Sequence, residues 1–331
     1  MRLRNVAGIL SAAASAATLY TYARYRTEMR DIRAAVDNGG RIARTDAGPI
    51  EYAESGEGDP ALVIHGAGGG YDQGLLLGQD LGSGFRVIAP SRFGYLKTPV
   101  PQDSSPAAQA DAHSALLDAL SVDRAVVVGA SAGGPSAIEL ALRHPERVTA
   151  LILLVPRTYH PTDSARADES AQSQIVLKVI ESSADFLFWL AVRVSRASVV
   201  RFLGVPPEVE ASASDEDRAY VDAVIRSIQP LSSRVRGIAV DSSIELSPWP
   251  LGEIRVPTLI VSAEDDLFHT LSGARFTAQH IRGAELRVLE NGGHLMVGHR
   301  QRVRRWITDF LRGQTAERSV QPQAESAEQV A

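Results

Sequence analysis

The 331-residue sequence contains no cysteine, which excludes disulfide bonds, zinc–thiolate sites and a cysteine nucleophile. This absence is compatible with every redox compartment. The sequence also lacks an excess of positive charge: its formal net charge of −5 argues against nucleic acid as the main partner. What is present is an ordinary globular composition, with 44% hydrophobic and 22% charged residues. The length suffices for one large domain or two medium ones.

Charged residues are also missing between residues 5 and 23. Arginines flank this segment on both sides, and its length is close to the ~20 residues that a membrane-spanning helix needs. The alanine-rich sequence allows three interpretations of residues 1–38. They are an uncleaved anchor that leaves the rest of the chain in the cytoplasm, a signal that leaves a secreted or periplasmic protein, and a helix packed on the protein or on a membrane surface. We expect the anchor, and hence a membrane association through residues 5–23.

The most informative motif is Gly-Ala-Ser-Ala-Gly at residues 129–133, directly after the apolar run at 125–128. A β-branched run that ends in Gly-x-Ser-x-Gly and is followed by a helix-compatible segment is typical of a nucleophile elbow. In this turn a serine with a strained backbone is exposed at the end of a strand, next to the positive end of a helix. The alternative is a loop of small residues without chemistry. We predict that Ser131 is a nucleophile.

A glycine-rich segment follows another short apolar run, at residues 61–64. Residues 65–70 read His-Gly-Ala-Gly-Gly-Gly, and such a turn lets backbone N–H groups point at a ligand. In acyl chemistry these donors, together with the N–H after the nucleophile, stabilise a tetrahedral oxyanion. We therefore assign an oxyanion hole to the backbone of Ala67 and Ala132. A phosphate-binding loop is the competing interpretation, but the Lys-Ser/Thr of a P-loop is missing.

An acid and a histidine follow two further apolar runs near the carboxyl terminus. Residues 258–261 lead to the pair Asp265 and Asp266, and residues 286–289 lead to His294. The order serine, acid, histidine is that of nucleophile-elbow hydrolases. Because each group follows a strand of a parallel sheet, all three are expected at one edge of that sheet. A charged surface turn and a lone solvent-facing imidazole are the alternatives.

These motifs together resemble the α/β-hydrolase family of the lid-bearing kind, over roughly residues 41–313. The family's acid follows a strand as G-x-x-D. Ala263 takes the place of that glycine, so the resemblance implies that Asp266 is the catalytic acid, with Asp265 as its rival. The family motif D-x-R-G-x has its counterpart at residues 91–95, where Ser91 replaces the aspartate and removes one partner of a structural salt bridge. Arg92 is expected to be architectural.

We predict an α/β fold with a mostly parallel twisted sheet, helices on both faces and an inserted helical lid. An opening hairpin is expected over residues 41–53. The core comprises residues 39–155 and 251–313, and residues 156–250 form the lid, because a strandless loop of that length would be unusual. The polar residues 314–331 are expected to be a disordered tail. Three aromatic residues are candidates to line an apolar substrate pocket: Phe186, Trp189 and Phe268.

The expected function is that of a serine hydrolase. It would cleave a small or medium apolar carboxylic ester through Ser131, His294 and Asp266, without a metal or organic cofactor. Two alternatives stay open: hydrolysis of a C–C bond with the same triad, and a non-catalytic ligand-binding member of the family. A small molecule is the expected partner, and the sequence leaves the oligomeric state open.

Overall fold

The computed structural model describes residues 2–161 and 185–328, and side chains from residue 15 to residue 314. Residues 162–184 of the predicted lid lie outside the described residues. One sheet contains eight strands: β1 (Arg41–Thr45), β2 (Gly48–Ser55), β3 (Asp59–Ile64), β4 (Phe85–Pro90), β5 (Ala125–Ala130), β6 (Val148–Leu154), β7 (Thr258–Ala263) and β8 (Glu285–Leu289).

The sheet has the strand order β1-β2-β4-β3-β5-β6-β7-β8. The first two strands form an antiparallel hairpin, and β2 also pairs antiparallel with β4. From β4 to β8 all neighbours are parallel. The carboxyl ends of β3, β5, β7 and β8 therefore meet at one edge. The predicted fold class is confirmed.

Helices cover both faces of the sheet, since its strands carry apolar side chains on alternate faces. Val127 of β5 packs in a cluster with residues of α3 (Pro106–Ala119), α4 (Gly134–Arg143) and α10 (Leu271–His280). Its neighbour Val128 packs on the other face, in a cluster with residues of α2 (Tyr71–Gly78) and α11 (Arg300–Glu328). The continuous apolar runs of the sequence thus reflect strands that are buried on both sides.

A helical insertion separates β6 from β7. Its described helices are α5 (185–194), α6 (Arg196–Phe202), α7 (Pro207–Ala211), α8 (Asp215–Ser227) and α9 (Val235–Ser243). The insertion has apolar clusters of its own, and these include Val297 and contact Leu295, both close in sequence to His294. The insertion consequently packs on the edge of the sheet where the strands end.

The amino-terminal helix α1 (Arg2–Gly39) packs its second half against α5. The ring of Tyr25 lies 5.1 Å from the ring of Phe186 and 5.6 Å from that of Trp189, both in edge-on geometry. Trp189 Nε1 donates to Glu28 Oε2 at 2.9 Å. Phe186 and Trp189, predicted to line a substrate pocket, therefore lie in the interface with α1.

The predicted membrane anchor is wrong. None of the helices in the described part of the chain combines the length and the apolarity that a bilayer crossing requires. Alanine, serine and threonine dominate the uncharged segment of α1, and charged residues follow from Arg24 onward, so the helix is long but insufficiently apolar.

The carboxyl-terminal segment also differs from the prediction. A disordered tail was expected from residue 314, whereas α11 continues to Glu328. Alanine, glutamate and glutamine are frequent in this segment and have high intrinsic helix propensity, which favours a helix there without apolar periodicity.

Candidate active site

Ser131 occupies a sharp turn between β5 and α4, with a left-handed φ of 48°. The glycines on either side are needed for space. A Cβ at Gly129 would lie 2.6 Å from Ala137 Cβ, and a Cβ at Gly133 would lie 2.7 Å from the carbonyl oxygens of Ile64 and His65. The turn thus packs against both α4 and the end of β3, which holds the serine at the carboxyl edge of the sheet.

The structure brings the predicted acid and histidine together. The Nδ1 atom of His294 lies 2.9 Å from Asp266 Oδ2, and both side chains are buried, 8% and 2% exposed. The same carboxylate accepts hydrogen bonds from Thr270 Oγ1 at 2.5 Å and from the Phe268 amide at 2.9 Å. Burial opposes ionisation of Asp266, but the hydrogen bonds and the adjacent imidazole outweigh it and lower its pKa. The carboxylate is therefore charged at neutral pH.

The neighbouring Asp265 has a different set of partners. Its two oxygens accept the backbone N–H groups of Gly292 at 3.1 Å and Gly293 at 2.8 Å. These bonds fix the turn that carries His294, while the bond to the imidazole itself comes from Asp266. Asp265 therefore holds the turn that carries His294, and Asp266 holds the imidazole ring.

A single carbonyl of the insertion connects the acid loop with the histidine loop. The oxygen of Gly204 accepts from the Leu267 amide at 3.1 Å and from the His294 amide at 3.0 Å. Gly204 has a φ of 79°, and a Cβ there would lie 2.7 Å from His294 Cβ. Only glycine permits this approach without strain.

Ser131 is placed at the same edge as His294, but no hydrogen bond among the described residues joins its hydroxyl to the imidazole. Catalytic hydrogen bonds are often long without substrate and tighten in the complex. The ring of Phe268 lies 4.7 Å from the imidazole of His294, edge to face, and is 52% exposed. Of the three predicted pocket aromatics, Phe268 is therefore the one beside the site.

The glycine-rich loop after β3 approaches the nucleophile, since a Cβ at Gly66 would lie 3.1 Å from Ser131 Cβ. Within the loop, the Gly66 amide donates to Gln73 Oε1 at 3.0 Å and the Gly68 amide donates to Tyr95 Oη at 3.2 Å. Ala67, between them, is exposed, and its amide has no hydrogen-bond acceptor within the described parts of the chain. This is the arrangement that an oxyanion donor requires.

His65 is locked beneath this loop in one neutral tautomer. Its Nδ1–H donates to the Gly66 carbonyl at 2.7 Å, while its Nε2 accepts the Arg92 amide at 3.0 Å. Burial and the nearby Arg92 charge hold the pKa of His65 well below its usual value. A neutral, fully buried imidazole with both nitrogens engaged serves as a rigid support rather than as an acid or base.

Arg92 pairs with an aspartate that the sequence motif does not contain. Its guanidinium donates to both carboxylate oxygens of Asp241 in α9, at 2.5 Å and 2.8 Å. Ser91, in the place of the family's aspartate, instead donates to the buried Glu51 at 3.1 Å. The salt bridge that the serine was expected to remove is therefore supplied by the insertion.

The comparison with known families agrees with this architecture. The sequence model of the alpha/beta hydrolase fold matches residues 59–298, and the chain belongs to this family. It is a hydrolase-type enzyme of that fold.

Curated relatives include the uncharacterized hydrolase YcgS of Bacillus subtilis (strain 168), 29% identical over 76% of this chain and 90% of the relative. The 2-hydroxy-6-oxononadienedioate/2-hydroxy-6-oxononatrienedioate hydrolase of Paraburkholderia xenovorans (strain LB400) is 28% identical over 79% of this chain and 90% of that protein. Among solved structures, Est816, described as an N-acyl homoserine lactone degrading enzyme, aligns with a TM-score of 0.54 and 26% identity. The alignment covers 82% of this chain and 99% of that one.

Sequence reasoning missed three residues that hold the site: Gly204, Arg234 and Asp241. All belong to the insertion, and each acts through contacts with residues far away in the sequence. The only sequence signal for any of them is Gly70, where a Cβ would lie 2.6 Å from Arg234 Nη1.

Proposed function

We propose that this enzyme is a serine hydrolase in which Ser131 is the nucleophile, His294 the general base and Asp266 the group that orients the imidazole. The buried hydrogen bond between Asp266 and His294 carries this proposal, because a carboxylate on Nδ1–H leaves Nε2 as the base. Ser131 Oγ attacks the substrate carbonyl while His294 takes its proton and then passes it to the leaving group. Water, activated by His294, hydrolyses the acyl-enzyme.

We assign to the backbone amides of Ala67 and Ala132 the stabilisation of the negative charge that develops on the carbonyl oxygen. The Ala67 amide has no acceptor among the described residues, while the amides on either side are both engaged, and this supports its role. Each such donor is worth on the order of 3 kcal/mol in the transition state. Phe268, beside His294 and half exposed, is the proposed substrate contact.

An uncharged carboxylic ester is the substrate class that fits best. The guanidinium groups nearest the glycine-rich loop, those of Arg92 and Arg234, are already neutralised by Asp241 and Asp72. The described surroundings of the loop and the histidine include the apolar side chains of Ile228 and Phe268. A site whose cations are paired internally favours a neutral apolar ligand over an anion.

The test is hydrolysis of nitrophenyl esters of increasing acyl length by wild type and by Ser131→Ala. We expect the substitution to reduce kcat by about 10⁴-fold or more, as removal of a triad nucleophile does elsewhere. A fluorophosphonate probe should label wild type at Ser131 and leave the variant unlabelled. Ser212→Ala, at an exposed serine directly after α7, is the matched control. Full activity in Ser131→Ala would refute the proposal.

A second candidate is hydrolysis of a C–C bond with the same residues, and it is favoured by the similarity to the dienedioate hydrolase. By its name, the substrate of that hydrolase is a dicarboxylate. A site that binds such a substrate needs cationic or hydrogen-bonding partners for the two carboxylates. Incubation with 2-hydroxy-6-oxononadienedioate separates the candidates. Turnover of this compound with a higher kcat/KM than any ester of the series would replace the ester assignment while leaving the triad assignment intact.

A further inference from the structure

We propose that α9 is part of the oxyanion machinery: Arg234 and Asp241, two turns apart, are positioning residues that hold the loop 65–69 in its donor geometry. This inference rests on the proposed function, since it concerns the hole in which the oxyanion would form. It assigns to the insertion a role in the chemistry beyond covering the site.

Arg234, immediately before α9, reaches into the loop from the insertion. Its side chain is fully buried, and Nη1 donates to the Gly69 carbonyl at 2.6 Å. Nη2 donates to Asp72 Oδ2 at 2.7 Å, so the charge is paired. A Cβ at Gly70 would lie 2.6 Å from Nη1, which shows that the loop sequence makes room for this guanidinium.

Asp241 acts on the same loop through two intermediaries. Its carboxylate accepts from Arg92 and, at 2.5 Å, from Tyr95 Oη. Arg92 in turn donates from Nε to the His65 carbonyl at 3.0 Å and from Nη2 to the Gly66 carbonyl at 3.1 Å. Tyr95 Oη accepts the Gly68 amide.

The backbone on both sides of Ala67 is thus tied to α9. On one side the carbonyls of His65 and Gly66 depend on the guanidinium that Asp241 orients. On the other side the Gly68 amide and the Gly69 carbonyl depend on Tyr95 and Arg234. Because the direction of the Ala67 N–H is set by the peptides around it, loss of either charge changes where this donor points.

Arg234 and Asp241 each belong to an ion pair, so a single substitution at either position leaves the partner charge unpaired. Removing the carboxylate of Asp241 leaves the buried Arg92 guanidinium without its ion-pair partner, which is more costly than removing both. An oxyanion donor acts only when charge has developed, so its displacement lowers kcat while KM changes little. A substitution that merely destabilised the insertion would lower the fraction of folded enzyme but leave kcat per folded molecule unchanged, so kcat is referred to the folded fraction measured for each variant.

The experiment compares Asp241→Asn, Arg234→Gln and Arg234→Lys with Arg196→Gln in the full-length chain. Arg196 is a matched control, since it is an arginine of the insertion with two ion-pair partners, Glu210 and Asp222, and neither partner belongs to the loop. For Asp241→Asn and Arg234→Gln we expect kcat for a nitrophenyl ester to fall about 10²-fold with KM changed less than about threefold. Arg234→Lys should recover part of this loss, and the control should keep its kcat.

A second readout reports on the hole itself. A trifluoromethyl ketone forms a tetrahedral adduct with the nucleophile, whereas the corresponding methyl ketone binds mainly as a ground-state analogue. The affinity for the trifluoromethyl ketone should fall with kcat, while that for the methyl ketone stays unchanged. Tyr95→Phe, which removes only a hydroxyl, is the variant to rely on if the charge variants fail to fold, and a loss of about tenfold in kcat is expected.

The outcomes distinguish the two proposals. If Ser131→Ala retains activity, the proposed function fails and the present inference fails with it. If Ser131→Ala is inactive but the α9 variants match Arg196→Gln in kcat and in ketone affinity, the proposed function stands and the positioning role of α9 is overturned.

Discussion

Asp266→Asn is the most informative single substitution for the proposed triad. The amide keeps the shape of the side chain but removes its charge, and its NH₂ group can no longer accept from His294 Nδ1–H. The charge interaction between an imidazolium and the carboxylate at 2.9 Å is about 6 kcal/mol at an effective dielectric constant of 20. Part of this remains through the amide dipole, so we expect kcat to fall by about 10³- to 10⁴-fold.

Asp265→Asn provides a matched comparison next to it in the sequence. Asp265 accepts two backbone N–H groups, and an asparagine oxygen can keep one of them. The loss of one charge-assisted hydrogen bond is worth about 2 kcal/mol of unfolding free energy. We therefore expect lower stability and a loss of kcat of about tenfold or less, because the histidine turn is loosened while the imidazole keeps its partner.

The assay is kcat for a nitrophenyl ester at neutral pH, with urea unfolding of each variant as the stability measurement. The triad assignment predicts that the larger kinetic loss belongs to position 266. If position 265 shows the larger kinetic loss at equal stability, Asp265 and not Asp266 is the acid of the triad.

Two further predictions concern stability. Burial raises the pKa of Glu51, so the folded protein binds this proton more tightly than the unfolded chain, and stability falls as the pH rises through the interval between the two pKa values. Glu51→Gln should therefore gain stability relative to wild type between pH 4 and pH 7 in urea unfolding; an equal difference at both pH values would contradict this. Tyr25→Ala should cost about 2 kcal/mol of unfolding free energy, since two edge-on aromatic pairs with α5 are lost. The exposed Tyr20→Ala is its control, and equal values for the two variants would show that the Tyr25 ring contacts do not stabilise the fold.

The sheet and the turns at its edge were predictable because their signals are local. An apolar run such as residues 125–128 is buried on both faces of a parallel strand, and the polar or glycine-rich residues that follow must lie where the strand ends. A neighbouring pair such as Asp265 and Asp266 could not be divided into roles from local signals alone. Their roles depend on which carboxylate faces the ring and which faces the amides, and that is decided by the path of the loop.

The amino-terminal helix illustrates a second limit. The uncharged residues 5–23 have the length of a membrane-spanning helix. Crossing a bilayer, however, depends on the free energy of transfer from water to lipid, to which alanine contributes little. Among the residues of α1 whose side chains the structure describes, Tyr25 and Glu28 in its second half contact α5. Contacts of this kind join positions more than 150 residues apart, and no periodicity within the helix indicates them.

The insertion shows most clearly why the site is larger than its motifs. Nothing in the sequence marks Arg234 and Asp241 as buried, because a charged residue in a helix is usually exposed. Burial of the two becomes possible only because the core supplies charges of the opposite sign, Asp72 for Arg234 and Arg92 for Asp241. Each ion pair spans about half of the chain, at separations of 162 and 149 residues. The motifs therefore identify the reacting groups, while the geometry in which those groups can react depends on residues that carry no motif.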